Sequence, residues 1–187
     1  MEESGVSDKR VERSKAKVLA ETYRQMAQSG IGGLSIDEVS RASGISKTTI
    51  YRHWPSRSAL LIDACSRLGS ASEAPDTGNV EHDVRLLLSC LADQLQTANW
   101  SAIYPSILDA AERDPELSAM QQSLHDRFMD PFLTVLTRAT DRGEISADRP
   151  HRETIAMLVG PLFFRRWFSR ETIDEAFIDR LTRTVLG

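Results

Sequence analysis

The sequence predicts an all-α protein of about nine helices. Apolar residues recur at three- and four-residue intervals through most of the 187 positions. The sustained apolar–polar alternation between hairpin turns that strands require occurs nowhere. Gly30, Gly44, Pro55, Pro115 and Gly143 fall where helices would start or stop.

Residues 1–10 are expected as a disordered N-terminal arm. In "VERSKAKVLAETYRQMAQS", residues 11–29, Val18, Leu19, Tyr23, Met26 and Ala27 repeat at helical spacing, and Gly30 is a C-terminal stop. Ser35 followed by Glu38 has the capping-box spacing for a second helix, expected from about Ile36 to Ala42. "SGIS" breaks that helix, with Gly44 free to take a positive φ. Ser46 then caps the short helix "KTTIYRHW", which Pro55 ends because the residue before a proline disfavours the helical region. A fourth helix from about Ser56 carries Leu60, Leu61, Ala64, Cys65 and Leu68 on one face. "GSASEAPDTGN", residues 69–79, reads as a linker.

Beyond the linker, Val80, Val84, Leu87, Leu88, Leu91 and Leu95 define an amphipathic helix capped by Asn79. "NWSAIYPSILDAAERD" continues helically with a bend at Pro105. A long helix from Pro115 is expected to kink near Pro131 and stop at Gly143. One further helix runs from about Pro150 to Ser169, and a last one from about Ile173 to Leu186.

Composition narrows the function classes. Charged residues are 27% and apolar residues 41%, as in ordinary globular proteins. No apolar run approaches the roughly 18 residues a membrane helix needs, and the N-terminus lacks a signal-peptide core, so a cytosolic location is expected. Cys65 and Cys90 have neither zinc-ligand nor disulfide-scaffold spacing and read as buried fillers. Charge is uneven: residues 1–60 carry ten Lys/Arg against seven Asp/Glu, whereas residues 61–187 carry thirteen against twenty. A basic head on an acidic body suggests a polyanionic partner for the head alone.

Short helix, glycine turn, short helix is the arithmetic of a helix-turn-helix, whose second helix enters the DNA major groove. In that second helix Ile50 and Trp54 are four apart and face inward, leaving Lys47, Thr48, Thr49, Tyr51, Arg52 and His53 on the other faces. Hydroxyls and helix N-terminal amides suit phosphate, and arginine suits guanine N7 and O6. Arg57, opening the next helix, is a candidate for a further phosphate. A solvated polar helix with core aromatics is the competing explanation, and Tyr51 fits either.

The stretch "GLSIDEVSRASGISKTTIYRHWPSRSALL" resembles the DNA-binding domain of the TetR family of transcriptional regulators, and "AKVLAETYRQMAQSG" resembles that family's first helix. The likeness covers about residues 13–65. It implies that Lys47, Thr48 and Thr49 face the groove, that Tyr51 and His53 contact the DNA backbone, that Arg57 binds phosphate where the family usually has lysine, and that Ser35 holds a flanking phosphate. Ser40 stands where the family commonly has alanine, Trp54 where it has phenylalanine, and Thr48 where many members have glycine. Domains follow as 11–69 for DNA binding, with the motif at 35–54, and 79–187 for regulation and dimerisation. "RGEI" at 142–145 and "LVGPLFFRRWF" at 158–168 are similar to one subgroup of TetR C-terminal domains.

The resemblance implies a homodimeric repressor that binds a pseudo-palindromic operator in double-stranded DNA and is released by a small-molecule effector. Phe163, Phe164, Trp167 and Phe168 are too many bulky residues for one helix face. Leu158, Leu162, Phe163, Trp167, Phe177, Leu181 and Val185 are therefore expected at a four-helix dimer interface, with wholly intramolecular packing as the alternative. Trp100, Tyr104, Met120, His125, Phe128, Met129 and Phe132 are candidates for an effector pocket, or for simple core. Neither catalytic motifs nor metal-ligand spacing among the histidines is present, so no enzymatic activity, cofactor or metal is expected. A helical interaction protein that keeps the head without reading DNA is the second possibility.

Overall fold

A computed structural model describes residues 3–66, 73–96 and 98–187, with the side chains of 3–8, 10, 66 and 98–102 outside that description. The described residues form nine α-helices and no strand. In chain order they are α1 Glu3–Ser29, α2 Ile36–Ser43, α3 Lys47–His53, α4 Arg57–Ser66, α5 Val80–Gln96, α6 Ala98–Ala111, α7 Pro115–Asp141, α8 His151–Phe164 and α9 Glu175–Leu186. A 3₁₀ turn, Ile31–Gly33, follows α1, and a π-helical turn, Arg165–Ser169, continues α8.

Helix α1 starts earlier than expected, so residues 3–10, read as a disordered arm, are helical. Once a turn is nucleated each added residue contributes a bond. Pro105 and Pro131 lie inside α6 and α7, each of which continues helically past its proline.

The chain divides into two compact units, residues 1–68 with 102–124 and residues 69–101 with 125–187. The expected domains 11–69 and 79–187 are contiguous in sequence, whereas residues 102–124 group with the first compact unit. Helices α2 to α4 are short, and Ile103 and Ile107 of α6 and Leu117 and Met120 of α7 join the core of the head with Val18, Met26, Ile31, Val39, Ile50, Trp54, Leu60 and Leu61. Spacing marked Val18, Met26, Ile50, Trp54, Leu60 and Leu61 as apolar-face residues but did not single out Ile103, Ile107 or Leu117.

The second unit packs α5, most of α7, α8 and α9 around Val84, Leu88, Leu95, Phe132, Leu136, Ile155, Leu158, Leu162 and Ile178. "RGEI" serves as a joint in this unit. Gly143 takes φ 75°, and the amides of Gly143 and Glu144 donate back to the Thr140 and Ala139 carbonyls at 2.9 Å each, a Schellman closure of α7. The Glu144 carboxylate then accepts from the Val80 amide at 2.7 Å, while Asn79 Oδ1 accepts from the His82 amide at 2.8 Å; together they cap α5. Arg142 bonds Glu144 and reaches Asp76 at 3.4 Å. The Val80 amide, and secondarily Arg142, hold the Glu144 carboxyl below its ordinary pKa.

Candidate nucleic-acid interface

Two caps and one glycine set the geometry of the head. The α2 cap is Ser35, whose hydroxyl accepts from the Glu38 amide at 3.4 Å. Only half of the expected capping box forms: the Ser35 amide donates to Gln25 Oε1 at 3.3 Å, and the Glu38 side chain pairs with Arg41 at 3.6 Å. Gln25, buried on α1, was not picked out by sequence reasoning, because a lone glutamine on a helix carries no pattern. It ties the start of α2 to α1.

Between α2 and α3, Gly44 adopts φ 70° and ψ 15°, the left-handed conformation expected of the turn. Ser40 stabilises the same turn, its hydroxyl donating to the Ile45 carbonyl at 2.7 Å. Ser46 caps α3 by accepting from the Thr49 amide at 3.3 Å. Ile50 and Trp54 anchor α3 in the core at 1% and 5% exposure, and the Trp54 indole N–H donates to Asp63 at 2.8 Å. Burying two such side chains is worth about 1.5–3 kcal/mol each, so the rotation of α3 about its axis is decided by them.

With that rotation set, Lys47, Thr48, Tyr51 and Arg52 are exposed, while Ser35, Thr49 and His53 are half-buried. Thr49 shares a 2.9 Å hydrogen bond with the Ser46 hydroxyl, and His53 meets the edge of Trp54 at 5.8 Å. Tyr51 keeps 47% of its surface open, which places its ring outside the core. Lys47 is ion-paired with Asp37, near the start of α2.

Arg57 departs from expectation. Its guanidinium donates to the carbonyls of Leu34 and Gly32 at 3.1 Å each, and also to that of Ile31. Such charge-assisted bonds satisfy carbonyls of the 3₁₀ turn and its exit, so Arg57 clamps the α1–α2 connection through Nε and Nη2. Ser106 on α6 accepts from the Ile31 amide of that turn at 3.0 Å.

The residues expected to line an effector pocket do not form one set. Met120 belongs to the core of the first unit, where Tyr104 also lies; burial pushes the Tyr104 hydroxyl pKa up, opposed by a hydrogen bond to Gln121. Met129 and Phe132 are core residues of the second unit, and Phe128 and the half-buried His125 belong to that unit too. The Trp100 side chain lies outside the described residues.

Two of the expected dimer contacts are corrected outright. Leu158 and Leu162 have no exposed surface, because they fill the core of the second unit. Phe163, Trp167, Phe177, Leu181 and Val185 are partly buried against that core. Phe163 lies 6.5 Å from Phe128 and 5.4 Å from Trp167, which extends an intramolecular aromatic row. The apolar surface left open on this segment belongs instead to Met157, Phe164 and Phe168, at 53%, 57% and 76% exposure. Their rings supply the reason: in the widened turn Phe164 and Phe168 stack at 5.6 Å and 12° on one face, while Phe163 and Trp167 pair on another. Arg165 lies over the Phe177 ring at 3.7 Å beside them.

Burial pushes the Cys65 thiol up to about 12, consistent with an inert filler, while Cys90 is half-buried. Among the described residues no group of His, Cys, Asp and Glu could hold a metal, and no helix is long and apolar enough to cross a membrane.

Residues 18–64 match the family described as bacterial regulatory proteins, tetR family, and residues 74–185 match the tetracyclin repressor-like C-terminal domain. The chain is 34% identical to the DNA-binding transcriptional repressor TetR of Mycobacteroides abscessus, over 95% of this chain and 94% of that one. It belongs to the TetR family. An uncharacterized HTH-type transcriptional regulator of Mycobacterium tuberculosis is 28% identical over 90% of this chain and 88% of its own. Among solved structures, the TetR family transcription regulator SCO0332 matches with a TM-score of 0.72 and 27% identity, covering 92% of this chain and 96% of that one. The fold extends to FadR of Bacillus subtilis, solved in complex with stearoyl-CoA, at a TM-score of 0.68 and 13% identity, covering 92% of this chain and 97% of that one. As a TetR family member the chain is a DNA-binding transcription regulator with a helix-turn-helix head.

Proposed function

We propose that this TetR family protein is a repressor that binds a pseudo-palindromic operator as a homodimer and leaves it when a small-molecule effector binds. The observation that carries the DNA-reading part is the rotation of α3. Ile50 and Trp54 turn inward, so Lys47, Thr48, Tyr51 and Arg52 project from one short capped helix. Thr48 and Lys47 stand at the end of α3 that meets base edges in this motif, and Arg52 is free to reach a base or phosphate. Ser35 and His53 border this surface, and Tyr51 is its aromatic member.

Dimerisation is supported by the open face of Met157, Phe164 and Phe168, since clustered aromatics of that exposure mark an interface. Effector release requires that the ligand favour a conformation of lower operator affinity. Selection of bound duplexes from a random pool, followed by titration of the recovered sequence, tests the assignment. A palindromic consensus is expected, with Thr48→Ala and Arg52→Ala relaxing the preference at particular positions by about 1–3 kcal/mol and Tyr51→Phe weakening all sites alike. Recovery of no consensus would overturn the reading in favour of a protein-binding module.

A further inference from the structure

Lys47 does not wait unpaired for DNA. Its ammonium is ion-paired with the Asp37 carboxylate, and the two residues sit at the second position of α2 and the first position of α3. Their placement by helix polarity is unequal. An anion near the start of α2 is favoured by the helix dipole, whereas a cation at the start of α3 is not. Asp37 therefore offsets a misfit at Lys47. The same carboxylate lies two residues from Ser35, beside the α2 N-terminal amides that would receive a phosphate, and there it repels one. Both side chains keep more than half of their surface, at 54% for Lys47 and 70% for Asp37, so the pair is soft and can be exchanged.

We infer that Asp37 is a specificity-determining residue for DNA reading: it holds Lys47 in register over the groove and withholds its charge from any phosphate that is not in the operator position. The inference rests on the DNA-binding reading above. Binding to random DNA comes almost wholly from phosphate neutralisation, so a withheld cation and a nearby carboxylate weaken that mode most. In an operator complex, a lysine already aimed at its base or phosphate loses less freedom on binding. Glu38, the neighbouring acid, pairs with Arg41 and not with Lys47, which makes it a charge-matched control.

The test uses the full chain, a labelled random-sequence duplex of about 30 base pairs, and the tightest duplex recovered by selection. Asp37→Asn should bind the random duplex several-fold more tightly. Its plot of log affinity against log salt should steepen by up to about 0.9, the value of one more phosphate contact. Affinity for the selected duplex should rise less, so the ratio between the two falls. Glu38→Gln should change that ratio less, and in a Lys47→Met background Asp37→Asn should change it by only a fraction of its wild-type-background effect, the part that comes from the carboxylate's own repulsion of phosphate. An unchanged ratio for Asp37→Asn, an equal effect of Glu38→Gln, or a full Asp37→Asn effect without Lys47 would each overturn the inference while wild-type binding stood. Failure of the wild-type chain to hold any duplex would instead bring down the DNA-binding reading and this inference with it.

Discussion

Arg57 illustrates how a motif residue can carry a job that its position in the motif does not announce. Its three carbonyl acceptors are at Ile31, Gly32 and Leu34, so its loss strips a buried-edge turn of its only charged donor among the described residues. Arg57→Ala should cost about 2 kcal/mol in denaturant unfolding, from bonds to a charged group worth roughly 1.5–3 kcal/mol. The salt slope of DNA binding should stay unchanged, since no phosphate contact is removed. A slope shallower by about 0.9 with stability intact would restore the phosphate role. Gly30 makes a second demand at the same turn. It has φ 67°, and an added Cβ would lie 2.9 Å from the Ser106 Cβ. Gly30→Ala should therefore destabilise by about 1–3 kcal/mol, whereas Gly32→Ala, with no heavy atom within 4 Å of the new Cβ, should be close to neutral by the same melt.

At the scale of the element, the sequence was most informative where a local rule acts alone. Gly44, Ser46 and Asn79 hold the places expected of them because turn and cap preferences depend on a few neighbouring atoms. Ser35 caps as expected, but Glu38 does not complete the box, because buried Gln25 outcompetes it for the Ser35 amide. The junction of α5 with α7 behaves similarly: Glu144 caps α5 from sixty-four residues away, which no local rule contains. Its carboxyl pKa is held low, so the folded state binds that proton more weakly than the unfolded one. Stability from Glu144 is thus fully present above about pH 4.3, the unfolded value, and is lost as pH falls through the lower folded value. Glu144→Gln should melt earlier than wild type at neutral pH, and the gap should close in acid. A gap independent of pH would show that the charge does not matter to the cap.

At the scale of the whole molecule, the open apolar surface at the end of α8 and in the turn after it bears on association. Of the four bulky residues expected to share the surface that meets another helix, Phe163 and Trp167 pack against the core of the second unit, while Phe164 and Phe168 are exposed. A dimer should therefore scatter light at about twice 20.9 kDa. Phe168→Asp with Phe164→Asp should give a folded monomer with unchanged helical circular dichroism. Leu158→Ala should lower stability by about 2–5 kcal/mol without selectively abolishing association, because it opens a cavity in the core. A charged Phe164/Phe168 pair that still dimerised would place the interface elsewhere.

The sequence by itself determined the all-α class, the turn and caps of the helix-turn-helix, and which side of α3 is apolar. Those properties depend on backbone preferences and on spacing within a few residues of chain. Only the tertiary structure decided that residues 102–124 complete the core of the head, that Arg57 spends its charge on a turn, that Lys47 is held by Asp37, and which phenylalanines face outward. Each of these is a choice between partners far apart in sequence, and packing, not periodicity, makes it.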